Sequence, residues 1–503
     1  MRGAVAAGHP LTAEAGARVL ADGGNAVDAC VAAGLASWVA ESPLTGPGGG
    51  GFMLVHRARD RSTRVLDFFT AMPGLGLDGA GPGRMDEIDV DFSGGSTQVF
   101  EIGAASCAVP GTTHGLEAAH RSFGTLPWAT LFEPALELAR TGVELTREQA
   151  YLHAILDLIL RHTAEGRAIY GERDRLAAGD RLVMADLAGT LELLAREGAA
   201  ALQRGDLAEA LVAHVRGGGG TITARDLAEY RVIRRRPIRA EYAGHEFLSN
   251  PPPSHGGVLI AYALRLLDRL DGGAAGSAEA LAALAGVMRE AGRARGLDRR
   301  RLEAGENDAL DRIAQGVAAE REAAEPSGTT HISVVDGAGN AAALTVSTGA
   351  GSGVVVPGTG IQLNNMLGEF HLDRPPRAGA RLASMMSPSL VLRDGRPRLV
   401  VGSAGSLRLR NAVLQIVVNV VGHGLPVEEA IDRPRIHLEE PQLHCEGGHD
   451  AAELDRLEAR GWELVRWRRR NLFFGGVSAV EVREDGTLAA AGDPRRGGSG
   501  LVT

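Results

Sequence analysis

The sequence predicts a mixed fold of α-helices and β-strands, on the evidence of two hydrophobic periodicities. Helical periodicity runs from about residue 123 to about residue 205, with breaks at Gly142 and Gly179. Two pairs of short apolar alternations are typical of β-hairpins. These pairs are 331–336 with 341–347 and 389–393 with 397–401. With 503 residues, 44% of them hydrophobic, the chain can bury a large core.

The first 60 residues predict two helices and a glycine-rich loop before a strand. Thr12 is expected to cap the first helix, and residues 25–39 form a second helix that is apolar on most faces and therefore buried. Residues 45–51, Thr-Gly-Pro-Gly-Gly-Gly-Gly, then lead into the apolar run 52–55. A nucleotide-binding loop needs the reverse order, strand first and then helix. The loop therefore predicts close backbone approach near a pocket.

The middle of the chain continues this mixture up to a polar stretch. Thr223 and Asp226 are spaced to cap a short helix, and a proline-rich segment leads into another helix over 258–268. Residues 272–326 predict a weakly apolar helical region whose charges are a solvated face. After the second hairpin, residues 402–406 are expected to begin a helix that runs to about residue 421.

Composition excludes several classes of function. The net charge of −9 argues against a nucleic-acid partner, because phosphate binding needs a basic face. All 53 basic residues are arginine, which excludes a pyridoxal Schiff base and the P-loop lysine. Cys30, Cys107 and Cys445 predict buried free thiols, and Cys445 with His444 provides too few ligands for a metal site. No metal and no organic cofactor is expected.

The sequence shows neither a secretory signal nor a membrane span. The N-terminal residues pass directly into an amphipathic helix, and no apolar run approaches the ~20 residues that a transmembrane helix requires. We therefore expect a cytoplasmic protein without a membrane partner, unless a leader was trimmed from it.

A threonine pair after a glycine, Gly328-Thr329-Thr330, stands at the start of the first predicted hairpin. A threonine hydroxyl needs an adjacent base to act as a nucleophile, and its own α-amino group, freed by cutting the chain before it, is one such base. Glycine tolerates the distorted backbone that a self-cut requires, and the strand would hold the new N-terminus rigidly. From these residues alone, ordinary turn chemistry remains the alternative.

The motifs taken in order resemble the γ-glutamyltransferase family of N-terminal-nucleophile hydrolases along nearly the whole chain. The matching segments are 23–29, 48–53, 109–112, 124–128, 252–257 and 329–336. The resemblance implies an α+β fold, a four-layer αββα sandwich, synthesised as one precursor. It also implies a self-cut between Gly328 and Thr329 into a large subunit, 1–328, and a small subunit, 329–503, which form one intertwined domain.

The resemblance implies a mechanism as well. Thr329 Oγ would attack the Gly328 carbonyl, and water would release the resulting ester. The freed amine, with an ordinary pKa of about 7.7 to 8.0, would then serve as the base when Thr329 attacks a substrate acyl group. The oxyanion would rest on the backbone N–H groups of Gly405 and Ser406, which align with the paired glycines of the family. Ser347 would keep the role of a second threonine that steadies the nucleophile.

The substrate-binding positions depart from the family pattern. Phe69 stands where an arginine pairs with the donor's α-carboxylate, so the chain is expected to select against a free glutamyl carboxylate. Ser384-Met385 replaces paired serines, and Gly349 replaces an asparagine. Each of these side chains also has a structural explanation, since Phe69 and Met385 could pack in the core.

The sequence retains an acidic residue at the position that binds the donor's ammonium group in the family. Glu369, in the segment 364–369 that also contains Asn365, stands where the family has the aspartate that binds the donor's α-amino group. The structural alternative for Glu369 is a surface charge. We expect five residues to line the pocket, because they align with positions that do so in the family: Phe69, Asn365, Glu369, Ser384 and Met385.

Three functions fit the sequence. The first is a self-processing amidohydrolase or acyltransferase that acts on a small-molecule or peptide-like acyl donor, with water or an amine as acceptor. The second uses the same nucleophile to split a carbon–carbon bond, or as a tailoring amidase, in secondary metabolism. The third is a non-processing homologue that serves as a binding or structural protein, which the intact Gly328-Thr329 motif disfavours.

Overall fold

Two stacked β-sheets with helices on both outer faces form the four layers of the protein. The computed structural model describes residues 3–77, 83–91, 97–270, 272–294, 328–369, 376–405 and 408–503. Segments before and after Gly328 contribute strands to both sheets. The α+β sandwich predicted from the sequence is therefore confirmed.

The first sheet has seven strands, and every neighbouring pair is antiparallel. In spatial order the strands are Ser499–Val502, Gly3–Ala7, Thr330–Asp336, Ala341–Ser347, Gly50–Arg57, Ser62–Phe68 and Ile233–Arg235. The first predicted hairpin is confirmed, with Val335 paired to Ala341. Strands from the two ends of the chain thus flank the strand that follows Thr329.

The second sheet has six strands. In spatial order they are Leu488–Gly492, Gly476–Val482, Arg396–Ala404, Ser389–Arg393, His245–Ser249 and Ile238–Tyr242. Shorter pairings outside the two sheets join Asp86–Asp91 with Thr97–Ile102, Val143–Glu144 with Arg181–Leu182, Val355–Val356 with Ile361–Gln362, and Ile436–Glu439 with Gln442–Cys445 and Glu463–Arg466.

Side-chain alternation along the strands divides the core. Odd-numbered residues of Thr330–Asp336 and Ala341–Ser347, such as Val335 and Ala343, pack between the two sheets. Even-numbered residues, such as Val334, face the helices outside the first sheet. Even- and odd-numbered residues of one strand therefore lie in different environments, and the same holds for the neighbouring residues Thr329 and Thr330.

Helices cover each sheet from outside. On the side of the first sheet they are Pro10–Ala21, Ala26–Ala40, Thr112–Phe123, Glu133–Thr141, Arg147–Ile155, Asp157–Leu160, Ala164–Tyr170, Ala185–Glu197, Asp206–Gly217 and Ala224–Glu229. On the side of the second sheet they are Gly256–Leu267, Ala278–Arg293, Arg408–Val417, Val427–Asp432 and Ala451–Ala459. Ala26–Ala40 is buried along its whole length, as its composition predicted.

Two local expectations were wrong. The first helix is capped by His9 rather than Thr12, because Pro10 occupies the first helical position and the Thr12 hydroxyl is bonded to Glu41 instead. The strand Arg396–Ala404 includes Gly402 and Ser403, so the helix begins later than the glycines suggested, at Arg408.

No helix in the described part of the chain is both long enough and apolar enough to cross a membrane.

Candidate active site

Four strand ends bring the predicted site residues into one row of the first sheet. Thr330 pairs with Val346, Ser347 with Gly50, and Gly51 with Phe68. One residue further along, Thr329, Ser347, Gly50 and Phe69 therefore lie side by side on the face turned toward the second sheet. The row places the predicted nucleophile two strands away from Gly50 and three from Phe69.

Ser347 holds the carbonyl of the bond that the sequence predicts to be cut. Its hydroxyl donates a short hydrogen bond to the Gly328 carbonyl oxygen and accepts one from the Gly349 N–H at 2.8 Å. The Gly328 N–H in turn donates to the Gly349 carbonyl at 2.9 Å. Thr329 and Ser347 are both 1% exposed, so these bonds lie away from solvent. The structure places the Ser347 hydroxyl on the carbonyl of the bond predicted to be cut, and its role in steadying the nucleophile stays a prediction.

Gly349, Asn365 and Glu369 form a cluster beside Gly328. Gly349 has a φ of +71°, and a Cβ atom there would lie 2.1 Å from Asn365 Oδ1 and 2.6 Å from Glu369 Oε1. Glu369 Oε1 accepts the Ala350 N–H at 2.9 Å. The buried Asn365 Oδ1 accepts no hydrogen bond from any described residue. The structure thus brings together Asn365 and Glu369, two of the five residues that the sequence predicted to bind the substrate.

Phe69, Ser384 and Met385 have different surroundings. Phe69 stacks on Phe52 with ring centroids 5.6 Å apart and packs between the two sheets. Met385 belongs to the apolar cluster on the outer side of the second sheet. The Ser384 hydroxyl accepts the Met386 N–H at 3.0 Å. The structure places Phe69 and Met385 in two separate apolar clusters, and their role in substrate binding stays a prediction.

The glycine-rich loop allows the backbone to pass close to the site. A Cβ atom at Gly49 would lie 2.4 Å from the Ser347 carbonyl oxygen, and one at Gly51 would lie 2.3 Å from that of Thr345. No side chain fits at these distances, so only glycine permits this contact. The predicted close approach of the backbone is confirmed, and a pocket beside this loop stays a prediction.

Gly405 lies where the second sheet meets Thr329. It follows the strand Arg396–Ala404 and has a φ of +124°. Its carbonyl accepts the Arg408 N–H at 3.2 Å, at the start of the helix Arg408–Val417. Ser406, the second predicted oxyanion donor, lies outside the described residues. Ala404, next to Gly405, lines the same cavity as Thr329.

This cavity, of about 40 Å³, adjoins Thr329 and Thr330 and is lined in part by Gly8 and His9, which follow the strand Gly3–Ala7. Apolar and polar side chains both line it. They include Pro43, Leu44, Leu152, Leu472, Val477, His9, Glu41, Glu148, His153, Asp493, Arg495 and Arg496. None of the five predicted substrate-binding residues is among the residues that line it.

Glu41 connects the cavity to the strand after Thr329. Its two carboxylate oxygens accept the hydroxyls of Thr12 at 2.8 Å and Thr330 at 2.6 Å. Burial raises the pKa of the Glu41 carboxyl, although both hydrogen bonds and the charge of Arg496 oppose that rise. Because both oxygens are occupied, Glu41 fixes the position of Thr330 and hence of the residue before it.

The histidines around Thr329 are neutral. Burial lowers the pKa of His9 and of His153 to about 4, and that of His331 to about 3. His331 is held by the hydroxyls of Thr345 at 2.7 Å and Ser333 at 3.0 Å, between the sheets. A base with so low a pKa takes up little proton at neutral pH. These contacts give His331 a structural role.

Arg496 is a site residue that the sequence did not indicate. Its guanidinium donates to the Thr329 carbonyl oxygen at 3.4 Å, and its other terminal nitrogen lies 3.8 Å from the position of a Cβ atom on Gly405. Burial lowers the pKa of Arg496, while the charges of Asp493 and Glu41 oppose that shift. Arg496 thus touches both the predicted nucleophile and the predicted oxyanion loop.

The described residues contain no group of three or more histidines, cysteines or acids arranged to hold a metal ion. Cys30, Cys107 and Cys445 are buried free thiols, as predicted. Burial raises the pKa of Cys107 and of Cys445 to about 12, so neither is a ready nucleophile.

Comparison with known proteins decides the family. The profile of the family described as Gamma-glutamyltranspeptidase matches residues 12–503. The chain belongs to the γ-glutamyltranspeptidase family. Within it, the chain is 35% identical to the acylase ACY 1 proenzyme of Pseudomonas sp. (strain SE83), over 97% of the chain and 91% of that protein. It is 32% identical to the glutathione hydrolase proenzyme of Escherichia coli (strain K12), over 98% and 90%.

The fold agrees with that assignment. The crystal structure of a cephalosporin acylase from Bacillus halodurans matches with a TM-score of 0.85 at 24% identity, covering 100% of this chain and 95% of that one. As a member of the γ-glutamyltranspeptidase family the protein is an enzyme of the hydrolase and transferase kind, of the N-terminal-nucleophile class that the sequence resemblance indicated.

Proposed function

We propose that the protein cuts itself between Gly328 and Thr329 and then uses Thr329 as an N-terminal nucleophile on amides of an amine-bearing acyl group of the γ-glutamyl type. The contact that supports this most directly is the Ser347 hydroxyl on the Gly328 carbonyl oxygen. Both relatives compared above are named proenzymes, which supports self-processing. The products are a large subunit, 1–328, and a small subunit, 329–503.

Self-processing begins with attack of Thr329 Oγ on the Gly328 carbonyl carbon. The C–N bond of that peptide breaks, the nitrogen takes a proton and becomes the α-amine of Thr329, and Gly328 is left as an ester on Oγ. Water then hydrolyses the ester and releases the Gly328 carboxylate. Negative charge develops on the Gly328 oxygen during both steps, where the Ser347 hydroxyl donates.

Turnover repeats this chemistry on a substrate. The freed α-amine takes the proton of Thr329 Oγ, which attacks the substrate carbonyl, and the amine passes that proton to the departing nitrogen. Water or an acceptor amine then resolves the acyl ester. We assign the oxyanion of this reaction to the backbone N–H groups of Gly405 and Ser406. Of these two residues the structure describes Gly405, which follows the strand Arg396–Ala404 of the second sheet.

We place the acyl chain of the substrate where Gly328 lies before the cut, because Thr329 Oγ must reach both carbonyl carbons. The substrate carbonyl oxygen is then turned toward Gly405 instead of Ser347. That place adjoins Gly349, Asn365 and Glu369. Glu369 supplies a carboxylate for an ammonium, and the Asn365 amide oxygen supplies a second acceptor. Phe69 supplies no cation at the position where a γ-glutamyl carboxylate would need one. A primary amine on the acyl chain, rather than its carboxylate, is therefore the group that this site selects.

Three anilides that share a p-nitroaniline leaving group test the acyl preference. γ-Glutamyl carries both the amine and the carboxylate, 4-aminobutyryl only the amine, and glutaryl only the carboxylate. We expect kcat/KM for 4-aminobutyryl to exceed that for glutaryl by about tenfold or more, the range for a charge-assisted hydrogen bond. Glu369→Gln should abolish the difference.

The exposed Glu484, paired with Arg393 on the far edge of the fold, offers a matched control, since Glu484→Gln removes the same charge away from the site. A glutaryl preference in the wild type, or an unchanged order in Glu369→Gln, would contradict the proposed acyl specificity. A carbon–carbon hydrolase would use the same nucleophile, and it would be indicated by complete self-processing with no hydrolysis of any of the three anilides.

A further inference from the structure

A second cavity lies at the edge of the first sheet and is lined mainly by arginine. It has a volume of about 530 Å³, and the described residues around it include six arginines and no acidic side chain. These arginines are Arg57, Arg64, Arg121, Arg234, Arg235 and Arg236. Acids outnumber lysines and arginines in the chain by 62 to 53, so the overall composition does not account for a cavity with cations alone around it. We call it the arginine cavity.

The arginine cavity and the predicted active site lie at opposite ends of the same strands. In the antiparallel pair Gly50–Arg57 and Ser62–Phe68, Gly51 is opposite Phe68 at one end and Arg57 is opposite Ser62 at the other. The strand Ile233–Arg235 forms the edge of the sheet beside them. At about 3.4 Å per residue, the strand Gly50–Arg57 separates the two sites by roughly 20 Å. The arginine cavity is therefore separate from the site at Thr329.

Four of the six arginines lack a counter-charge. Arg57 pairs with Asp60, and Arg235 pairs with the buried Asp67 at 2.7 Å. The Asp67 carboxylate also pairs with Arg381 at 3.2 Å, so its charge is shared between two arginines. The arginines that form no ion pair within 4.0 Å with any described residue are Arg64, Arg121, Arg234 and Arg236. The cavity thus carries positive charge that the described part of the chain does not balance.

Strand register sets two of these four cations against each other. Arg235 lies opposite Val65, and the same register continued by one residue places Arg236 opposite Arg64. Both arginines are exposed. Like charges directly opposite each other on neighbouring strands destabilise a sheet. An anion held between the two guanidinium groups would replace this repulsion with attraction to both.

The other two cations lie near the end of the helix Thr112–Phe123. Arg234 Nη2 donates to Ser122 Oγ at 2.6 Å, which is a neutral acceptor, so the charge of Arg234 stays unbalanced. Arg121 stands in the last turn of the helix, where a cation interacts favourably with the helix dipole. The half-buried Phe123 also lines the cavity and adds an aromatic surface beside the cations.

We propose that the arginine cavity binds a small molecule with an oligophosphate group, either an inorganic oligophosphate or the triphosphate end of a nucleotide. Such a group concentrates several negative charges in a small volume, which suits four unbalanced cations around one cavity. The planar guanidinium group of arginine matches phosphate oxygens with two parallel N–H donors. A cleft lined by one sign of charge also raises the local concentration of ligands of the opposite sign.

The size and the net charge of the protein are compatible with this ligand. A volume of about 530 Å³ falls within the range of about 300 to 1,000 Å³ that is typical of small-molecule sites. The net charge of −9 does not oppose binding, because salt screens distant charges and a compact ligand meets mainly the charges around the cavity. The inference does not depend on the proposed function of Thr329.

Calorimetric titration of the purified protein with tripolyphosphate, in metal-free buffer of low ionic strength, tests the inference. We expect saturable binding of one ligand per chain. The double variant Arg64→Gln/Arg236→Gln should weaken this binding by about tenfold or more, the range for a charge-assisted hydrogen bond. The double variant Arg393→Gln/Arg483→Gln is the matched control, because it removes two exposed arginines that pair with acids elsewhere. It should bind tripolyphosphate as the wild type does.

Titration with ATP distinguishes the two sources of the oligophosphate group. Tighter binding of ATP than of tripolyphosphate would assign the cavity to a nucleotide, with Phe123 as the surface for the base, and equal or weaker binding would assign it to an inorganic oligophosphate. The inference is overturned if neither ligand binds saturably, or if Arg64→Gln/Arg236→Gln binds both as tightly as the wild type. Citrate binding as tight as that of tripolyphosphate would also overturn it, because the cavity would then attract anions without preference for phosphate.

Discussion

The two sides of Thr329 differ in how much space they leave. On the side of Ser347 the chain is packed so closely that Gly49 and Gly349 have no room for a Cβ atom, and Gly328 itself fills the position of an acyl group. On the side of Arg496 a cavity adjoins the same threonine. The chain is therefore closely packed around Gly328, while a cavity remains beside Thr329 and Arg496.

We expect the largest loss of self-cutting from one methyl group added on the closely packed side of Thr329. Gly349→Ala combines a φ of +71° with a Cβ atom 2.1 Å from Asn365 Oδ1, so it should displace Asn365, Glu369 and the backbone that holds Gly328. We expect self-cutting to stop, as judged by denaturing gel electrophoresis of the purified chain. Gly358→Ala is the matched control, because Gly358 has a φ of +70° with nothing within 4 Å. If both variants cut normally, the packing of the acyl side is not needed for processing.

Loss of the Ser347 hydroxyl should slow self-cutting without preventing folding. Ser347→Ala removes the donor to the Gly328 oxygen, and a lost oxyanion donor costs about 10²- to 10³-fold in rate. The rate is measured from the disappearance of the full-length chain over time. Ser347→Thr should retain most of the rate, since it keeps the hydroxyl.

Ser352 offers a control for this variant. Its hydroxyl donates to the Leu363 carbonyl at 2.9 Å and accepts the Val354 N–H at 3.2 Å, the same pattern as Ser347 but away from Gly328. Equal cutting rates for Ser347→Ala and Ser352→Ala would show that the Ser347 contact does not assist the reaction.

The smallest expected effect concerns the cavity side of Thr329, where folding stability should depend on pH. Burial lowers the pKa of His9 and His153, both on the cavity, to about 4 from a usual value near 6.5. The unfolded chain therefore binds more protons than the folded chain between pH 6.5 and pH 4. Stability is fully present above pH 6.5 and is lost as the pH falls through this window, by up to about 1.4 kcal/mol per pH unit for each histidine.

Urea unfolding of the uncut Thr329→Ala chain at pH 7.0, 6.0 and 5.0 measures this loss. His153→Phe keeps an aromatic ring against Tyr170. It should remove about one histidine's contribution to the loss of unfolding free energy between pH 7.0 and pH 5.0. A slope that His153→Phe leaves unchanged would contradict the assignment of His153 as a buried neutral group.

Local sequence was sufficient for much of the fold. The helix Ala26–Ala40 is capped by Asn25, and the hairpin pairs Val335 with Ala341, because turn and cap residues act over a few positions. The cap of the first helix was misassigned because both His9 and Thr12 can accept a backbone hydrogen bond. The position of Pro10 decides between them, since proline fits the first helical position.

The site was predictable where motifs coincide and not where it depends on distant contacts. The order of motifs predicted Thr329, Asn365 and Glu369 as site residues. The structure brings the last two next to Gly349, and the roles of all three stay predictions. Arg496 was not found, because 167 residues separate it from Thr329 and nothing local distinguishes it from Arg495. Phe69 shows the same limit, since an apolar residue at a strand end has the same sequence pattern whether it lines a pocket or packs between sheets.

The intact mass of the wild type beside Thr329→Ala, under denaturing conditions, tests the central claim most directly. We predict two wild-type fragments that meet at Gly328 and Thr329, and a single uncut chain of 52.5 kDa for the variant. A single 52.5 kDa species in both would contradict self-processing and would favour a binding or structural protein. Two fragments in both would show that Thr329 is not the residue that cuts the chain.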